Sequence, residues 1–109
     1  MPVNLSVKTV LSLAAAVSLL FSQGAFAASQ TGKITLYHLN GTISGRGSCI
    51  QMIPAIPNTW ACVYQATNML FNQTNGLLLQ GYLAGKLCTV DWSGNGPDGW
   101  AAIQIAQCE

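Results

Sequence analysis

Leu77 to Val90 reads LLLQGYLAGKLCTV. Leu77, Leu78, Leu79, Tyr82 and Leu83 fall near helical spacing, and from Met69 to Ala84 the only β-branched residue is Thr74. Gly85 stands where a helix-ending glycine belongs, followed by Lys86. Leu87 to Trp92 (LCTVDW) then changes to a strand pattern. The stretch predicts a helix over about 74–84, started by Thr74 or Asn75, that runs directly into a strand. Gly76 and Gly81 lie inside that helix and each weakens it by up to about 1 kcal/mol.

On the N-terminal side, Trp60 to Gln65 (WACVYQ) and Ser48 to Ile53 (SCIQMI) read as strands. Pro54, Pro57 and Asn58 separate them with a connection that cannot continue a ladder. Gly45, Arg46 and Gly47 mark a turn or a bulge. Lys33 to Ile43 (KITLYHLNGTI) is a further strand, bending at Asn40-Gly41. On the C-terminal side, Ser93 to Gly99 (SGNGPDG) is a turn, and Trp100 to Cys108 (WAAIQIAQC) is the last strand.

The first residues read as an export signal. Lys8 is a short basic region, Val10 to Phe21 is apolar, and Ala25-Phe26-Ala27 follows the Gly24 break with the small-x-small pattern of signal peptidase sites. Cleavage is expected after Ala27. The apolar run falls well short of the ~20 residues that span a bilayer, so no stable membrane span is expected. No cysteine follows the cleavage site to carry a lipid. One domain, Ala28 to Glu109, remains, in a secreted or periplasmic location.

A domain this small often needs a staple. The four cysteines, an even number in a short exported chain, read as two disulfides. No C-x-x-C spacing supports zinc. Directly opposite residues of an antiparallel hairpin share one midpoint. Cys49 and Cys62 are centred between Ala55 and Ile56, in the middle of the Pro-containing connection. Cys88 and Cys108 are centred on Asp98, and are opposite if the hairpin closes at Pro97-Asp98-Gly99 or if a bulge shifts the register. The expected pairs are Cys49 with Cys62 and Cys88 with Cys108, each contributing roughly 2–4 kcal/mol by restricting the unfolded chain.

Charge is sparse. Lys33, Arg46 and Lys86 stand against Asp91, Asp98 and Glu109 after the signal. The balance excludes the basic patch that nucleic acid requires and lowers the repulsion between copies. Catalytic residue types are as scarce. His38 is the one histidine. A set of Ser44 or Ser48, His38 and Asp91 is available by composition but lies in no G-x-S-x-G context. A carboxylate pair would have to be Asp91 and Asp98, and Asp98 is accounted for by its turn. No catalytic residue, metal or cofactor is expected.

Trp60, Trp92 and Trp100 are the candidate ligand-binding residues. An indole offers a flat apolar face and an N–H donor, which suits stacking on a sugar ring. Trp92 and Trp100 flank the Gly-rich turn, which would place both at one end of the domain. The competing reading is that they are core or hairpin aromatics. Asn40-Gly41-Thr42 and Asn72-Gln73-Thr74 have the N-glycosylation pattern, which only a eukaryotic secretory pathway reads.

The predicted fold is α+β, mostly β with one helix, in the order β-β-β-α-β-β with two disulfides. That order matches a small five-stranded OB-like barrel with the helix between the third and fourth strands. Leu77 to Val90 resembles the helix-to-strand junction of the OB-fold B subunits of bacterial AB-type toxins of the pertussis and subtilase cytotoxin group, and Ile103-Gln104-Ile105 is similar to their closing strand. Small exported bacterial proteins share the pattern. The sugar-contacting serine region of the toxin B subunits has no counterpart here. The resemblance implies a non-enzymatic binding module, with a glycan or a protein as partner and further copies of the chain as neighbours. A periplasmic interaction or inhibitor domain is the second reading, and a small hydrolase the third.

Overall fold

The computed structural model describes residues 28–109; the segment read as an export signal lies outside them. The elements are β1 (Ala28–His38), β2 (Arg46–Ile53), β3 (Ala61–Tyr64), α1 (Phe71–Leu83), β4 (Leu87–Asn95) and β5 (Ala101–Cys108). Period-two alternation aims one side of each strand inward. Ile50 and Met52 of β2, Ala61 and Val63 of β3, Val90 and Trp92 of β4, and Ala101 and Ile103 of β5 share one core with Leu78 of the helix.

The strands close into a barrel in the order β1-β2-β3-β5-β4. Every pairing is antiparallel except β3 with β5. This is the expected OB-like order, with α1 between β3 and β4. One strand serves two neighbours: Ala28 to Lys33 pairs with β4, and Lys33 to His38 with β2. No helix among the described residues is long and apolar enough to cross a membrane.

Both disulfides form as expected, Cys49–Cys62 and Cys88–Cys108, each between residues directly opposite on neighbouring strands with Cα atoms 4.0 Å apart. The second hairpin keeps its midpoint at Asp98 at both ends, where Cys88 faces Cys108 and Asn95 faces Ala101. Between them the register slips at Trp92 and then recovers. Closure at the turn and a local irregularity therefore both occur.

Element boundaries differ from the sequence reading: β2 begins two residues earlier, at Arg46, β3 is trimmed to Ala61–Tyr64, and further differences fall on β1, α1, β4 and β5. β1 spans Ala28–His38 rather than 33–43, because the polar start ASQTG pairs with β4 and the chain leaves the sheet at Asn40. There the Asn40 carboxamide oxygen accepts from the Thr42 N–H at 3.0 Å and the Thr42 hydroxyl at 2.6 Å, making a side-chain turn. α1 begins at Phe71 rather than 74, and neither Thr74 nor Asn75 caps it. Asn68 turns the chain instead: its Oδ1 accepts from Leu70 N–H at 2.9 Å, while its Nδ2 donates to the Thr74 hydroxyl and to the Ile103 carbonyl. β4 continues through Asn95, which shortens the expected turn. β5 begins at Ala101, one residue after Trp100.

The helix ends as read. Gly85 takes φ of 63°, its N–H donates to Tyr82 O, and Lys86 N–H donates to Gly81 O, which is the paired pattern of a Schellman cap.

Candidate functional site

Three connections meet at one end of the barrel: the β1–β2 loop (residues 39–45), the chain after β3 (residues 65–67) and the β4–β5 loop (residues 96–100). They enclose a cleft of about 590 Å³. Gly45, at φ of 73°, ends the first loop, and its carbonyl accepts from Gln65 N–H at 2.8 Å, tying the loop to the end of β3. The third loop closes on itself through Gly96 N–H to Trp100 O at 2.8 Å and Gly99 N–H to Gly96 O at 3.0 Å.

Arg46 opens β2 directly opposite Tyr64, the last residue of β3. Its guanidinium, only 6 % exposed, donates through Nη1 to Asp98 Oδ2 at 2.6 Å, and the Tyr64 hydroxyl donates to Asp98 Oδ1. The Tyr64 ring lies against Gly96 so closely that any Cβ there would overlap it. The third loop is therefore fastened to β3 by a ring contact and a carboxylate with two donors.

The electrostatics follow. Burial pushes the Asp98 carboxyl upward, but the hydrogen bonds from Tyr64 and Arg46 and the Arg46 charge outweigh it, so Asp98 stays below its ordinary 3.8. Burial first, and then the bond to Asp98, push the Tyr64 hydroxyl well above its ordinary 10.0. Asp98 is thus an ionised acceptor of fixed orientation at the cleft wall. Arg46 Nε is buried without a hydrogen-bond partner.

The three tryptophans separate. Trp92 is 8 % exposed inside the barrel core, so its indole is not presented to a ligand and does not share a surface with Trp100. The alternation that aims Val90 inward aims Trp92 inward too. Trp60 and Trp100 are half-buried on the outer face of β2, β3 and β5, over Cys49–Cys62, Tyr64 and Ala102. Two successive left-handed residues, Asn58 (φ 67°) and Thr59 (φ 80°), deliver Trp60 to that face. His38 packs against Trp60 with ring centroids 5.5 Å apart. Tyr64 belongs both to this aromatic face and to the cleft, so the two surfaces adjoin.

The residues of the candidate Ser-His-Asp set have separate partners. The Ser48 hydroxyl donates to Asn75 Oδ1, Asp91 accepts from the Ser29 hydroxyl, and His38 lies on Trp60. Asp98, read as a turn residue, is the centre of the cleft's polar set. Sequence gave no signal for this, since Arg46 and Asp98 stand 52 positions apart. No family model matches the chain, and neither curated proteins nor solved structures gave a match.

Proposed function

We propose that the domain is an exported, non-enzymatic binding module that holds an uncharged polyhydroxyl ligand, a glycan, in the cleft between the β1–β2 and β4–β5 loops. The observation that carries this reading is the Asp98 carboxylate, ionised and oriented by Arg46 and Tyr64 at the mouth that OB barrels use for ligands. A fixed carboxylate accepts hydrogen bonds from neighbouring hydroxyls, while its charge is already neutralised by Arg46, which disfavours a cationic ligand. The adjoining Trp60 and Trp100 supply apolar faces for a sugar ring. The two disulfides, together with the export pattern of the first residues, support an oxidising compartment outside the cytoplasm.

A glycan-array screen of the oxidised domain tests the reading. Retention of a restricted set of glycans is expected. Trp100→Ala and Gln65→Ala should each weaken it by about 1–2 kcal/mol with the circular dichroism spectrum unchanged. An array without signal, or signal indifferent to both substitutions, sinks it.

The same reading includes self-association. Leu79 and Leu83, one helical turn apart, are 38 % and 73 % exposed. The one ion pair among the described residues, Arg46–Asp98, neutralises two of the charges. Lys33, Lys86, Asp91 and Glu109 are then the formal side-chain charges left to oppose contact between copies. Sedimentation of the glycan-array sample at micromolar concentration is expected to show a species larger than the monomer.

A further inference from the structure

The chain contains three Asn-Gly pairs: Asn40-Gly41, Asn75-Gly76 and Asn95-Gly96. In such a pair the glycine nitrogen, unshielded by a Cβ, can attack the asparagine side-chain carbon. The new C–N bond closes a five-membered succinimide, and ammonia leaves with the nitrogen of the carboxamide. Water then opens either imide carbonyl to give Asp or isoAsp. The net change is one water consumed and one ammonia released, with no oxidation. The step needs a free glycine N–H, a backbone able to rotate, and stabilisation of the negative charge that develops on the side-chain oxygen.

The structure separates the three pairs on those requirements. Asn75 and Gly76 lie inside α1, where the glycine amide belongs to the helical ladder and the backbone angle is fixed. Asn75 is also clamped through Oδ1 by the Ser48 N–H at 2.9 Å and hydroxyl at 2.7 Å. Gly96 N–H is committed to the Trp100 carbonyl at 2.8 Å, and its backbone is pinned against the Tyr64 ring. Gly41 is exposed, a Cβ built on it meets nothing within 4 Å, and its N–H donates to no backbone carbonyl of the described residues. Only at this pair is the nucleophile free.

The Asn40 side chain is also set for attack. Its Oδ1 receives the Thr42 N–H at 3.0 Å and the Thr42 hydroxyl at 2.6 Å. These donors polarise the carboxamide and sit where the oxyanion of the tetrahedral intermediate forms. The geometry points to Asn40 as a spontaneous modification site that converts to Asp and isoAsp, while the fold protects Asn75 and Asn95. The product is a new carboxylate, in the isoAsp form on a backbone lengthened by one carbon, in the loop that walls the cleft. In a domain with so few charges, that loop gains a charge it did not have.

Trypsin reads the outcome directly. Lys33, Arg46 and Lys86 are the cleavage sites of the described residues, so the three pairs fall in separate peptides, 34–46, 47–86 and 87–109, and each disulfide stays within one peptide. The oxidised protein is incubated at neutral pH, denatured and digested, and Asp and isoAsp are counted by mass and retention time. Asn40 is expected to convert roughly tenfold or more faster than either other site. In the reduced, denatured chain the three rates should converge. Thr42→Val should slow Asn40 without touching the other two. Conversion of Asn40 no faster than that of Asn95 or Asn75, or the same ratio in the folded and denatured chains, overturns the proposal. A Thr42→Val protein that converts as fast or faster overturns the activating role of the turn.

Discussion

Asp98→Ala is expected to destabilise the domain by about 2 kcal/mol, because it removes the charged acceptor of both Arg46 and Tyr64. The Arg46 side chain is 6 % exposed and already carries one unpartnered nitrogen, Nε. Removing the carboxylate also strips the Tyr64 hydroxyl of its acceptor. For a domain of this size each kcal/mol is worth about 4–8 °C in Tm, so thermal unfolding followed by circular dichroism should show a fall of roughly 10 °C. Tyr64→Phe removes one donor but no charge, and should cost about 1–2 kcal/mol. Loss of less in Asp98→Ala than in Tyr64→Phe would mean that water already supports Arg46.

The same set fixes a pH profile. Asp98 titrates below its ordinary 3.8 in the folded chain, so its contribution is present above the ordinary carboxylate range and is lost as pH falls through the depressed native value. Tyr64 is raised above 10.0, so its contribution is present below that pH and is lost as pH rises beyond it. Urea midpoints should therefore be flat across neutral pH and fall at both extremes, and the Asp98→Ala protein should lack the acid limb.

The second large effect concerns the two helix glycines, which sequence treats alike. At Gly76 a Cβ meets nothing within 4 Å, so Gly76→Ala should stabilise by up to about 1 kcal/mol. At Gly81 a Cβ would stand 2.6 Å from the sulfurs of both Cys88 and Cys108. The bridge joins adjacent strands and cannot retreat, so the helix must lift from the barrel. Gly81→Ala is expected to cost about 1–3 kcal/mol despite its better helix propensity. Paired Cys88→Ala and Cys108→Ala substitutions remove both sulfurs, and in that background Gly81→Ala should become neutral or stabilising. Denaturant titrations of the four proteins give the coupling. A penalty that persists without the bridge would place the conflict elsewhere.

What sequence made legible was what neighbours in the chain decide. Both disulfides were readable because each joins the arms of one hairpin, so a midpoint locates the pairing. The helix C-terminus was readable because Gly85 and Lys86 complete a local cap. The helix start was not, because Asn68 acts from outside the periodic segment and reaches Ile103 of β5, 35 positions away. The first half of β1 was missed because ASQTG has no strand pattern and is ordered by β4. The cleft was missed for a similar reason: Arg46, Tyr64 and Asp98 meet only when β2, β3 and the β4–β5 loop are brought together. Trp92 looked like a partner of Trp100 because the two flank one turn, and strand alternation sends it inward.

The divided pairing of β1 joins one contact that is near in the chain to one that is distant. Lys33 to His38 finds β2 after a short loop, but Ala28 to Lys33 must wait for Leu87 to Trp92. Closing that seam brings together residues on either side of most of the domain, an entropic cost that slows the search. A chain emerging N-terminus first would hold the leading half of β1 as an unpaired edge until nearly all of the domain had followed. Such an edge is open to other chains. Its polar sequence, Ala28-Ser29-Gln30-Thr31-Gly32, offers little apolar surface to a passing strand during that wait.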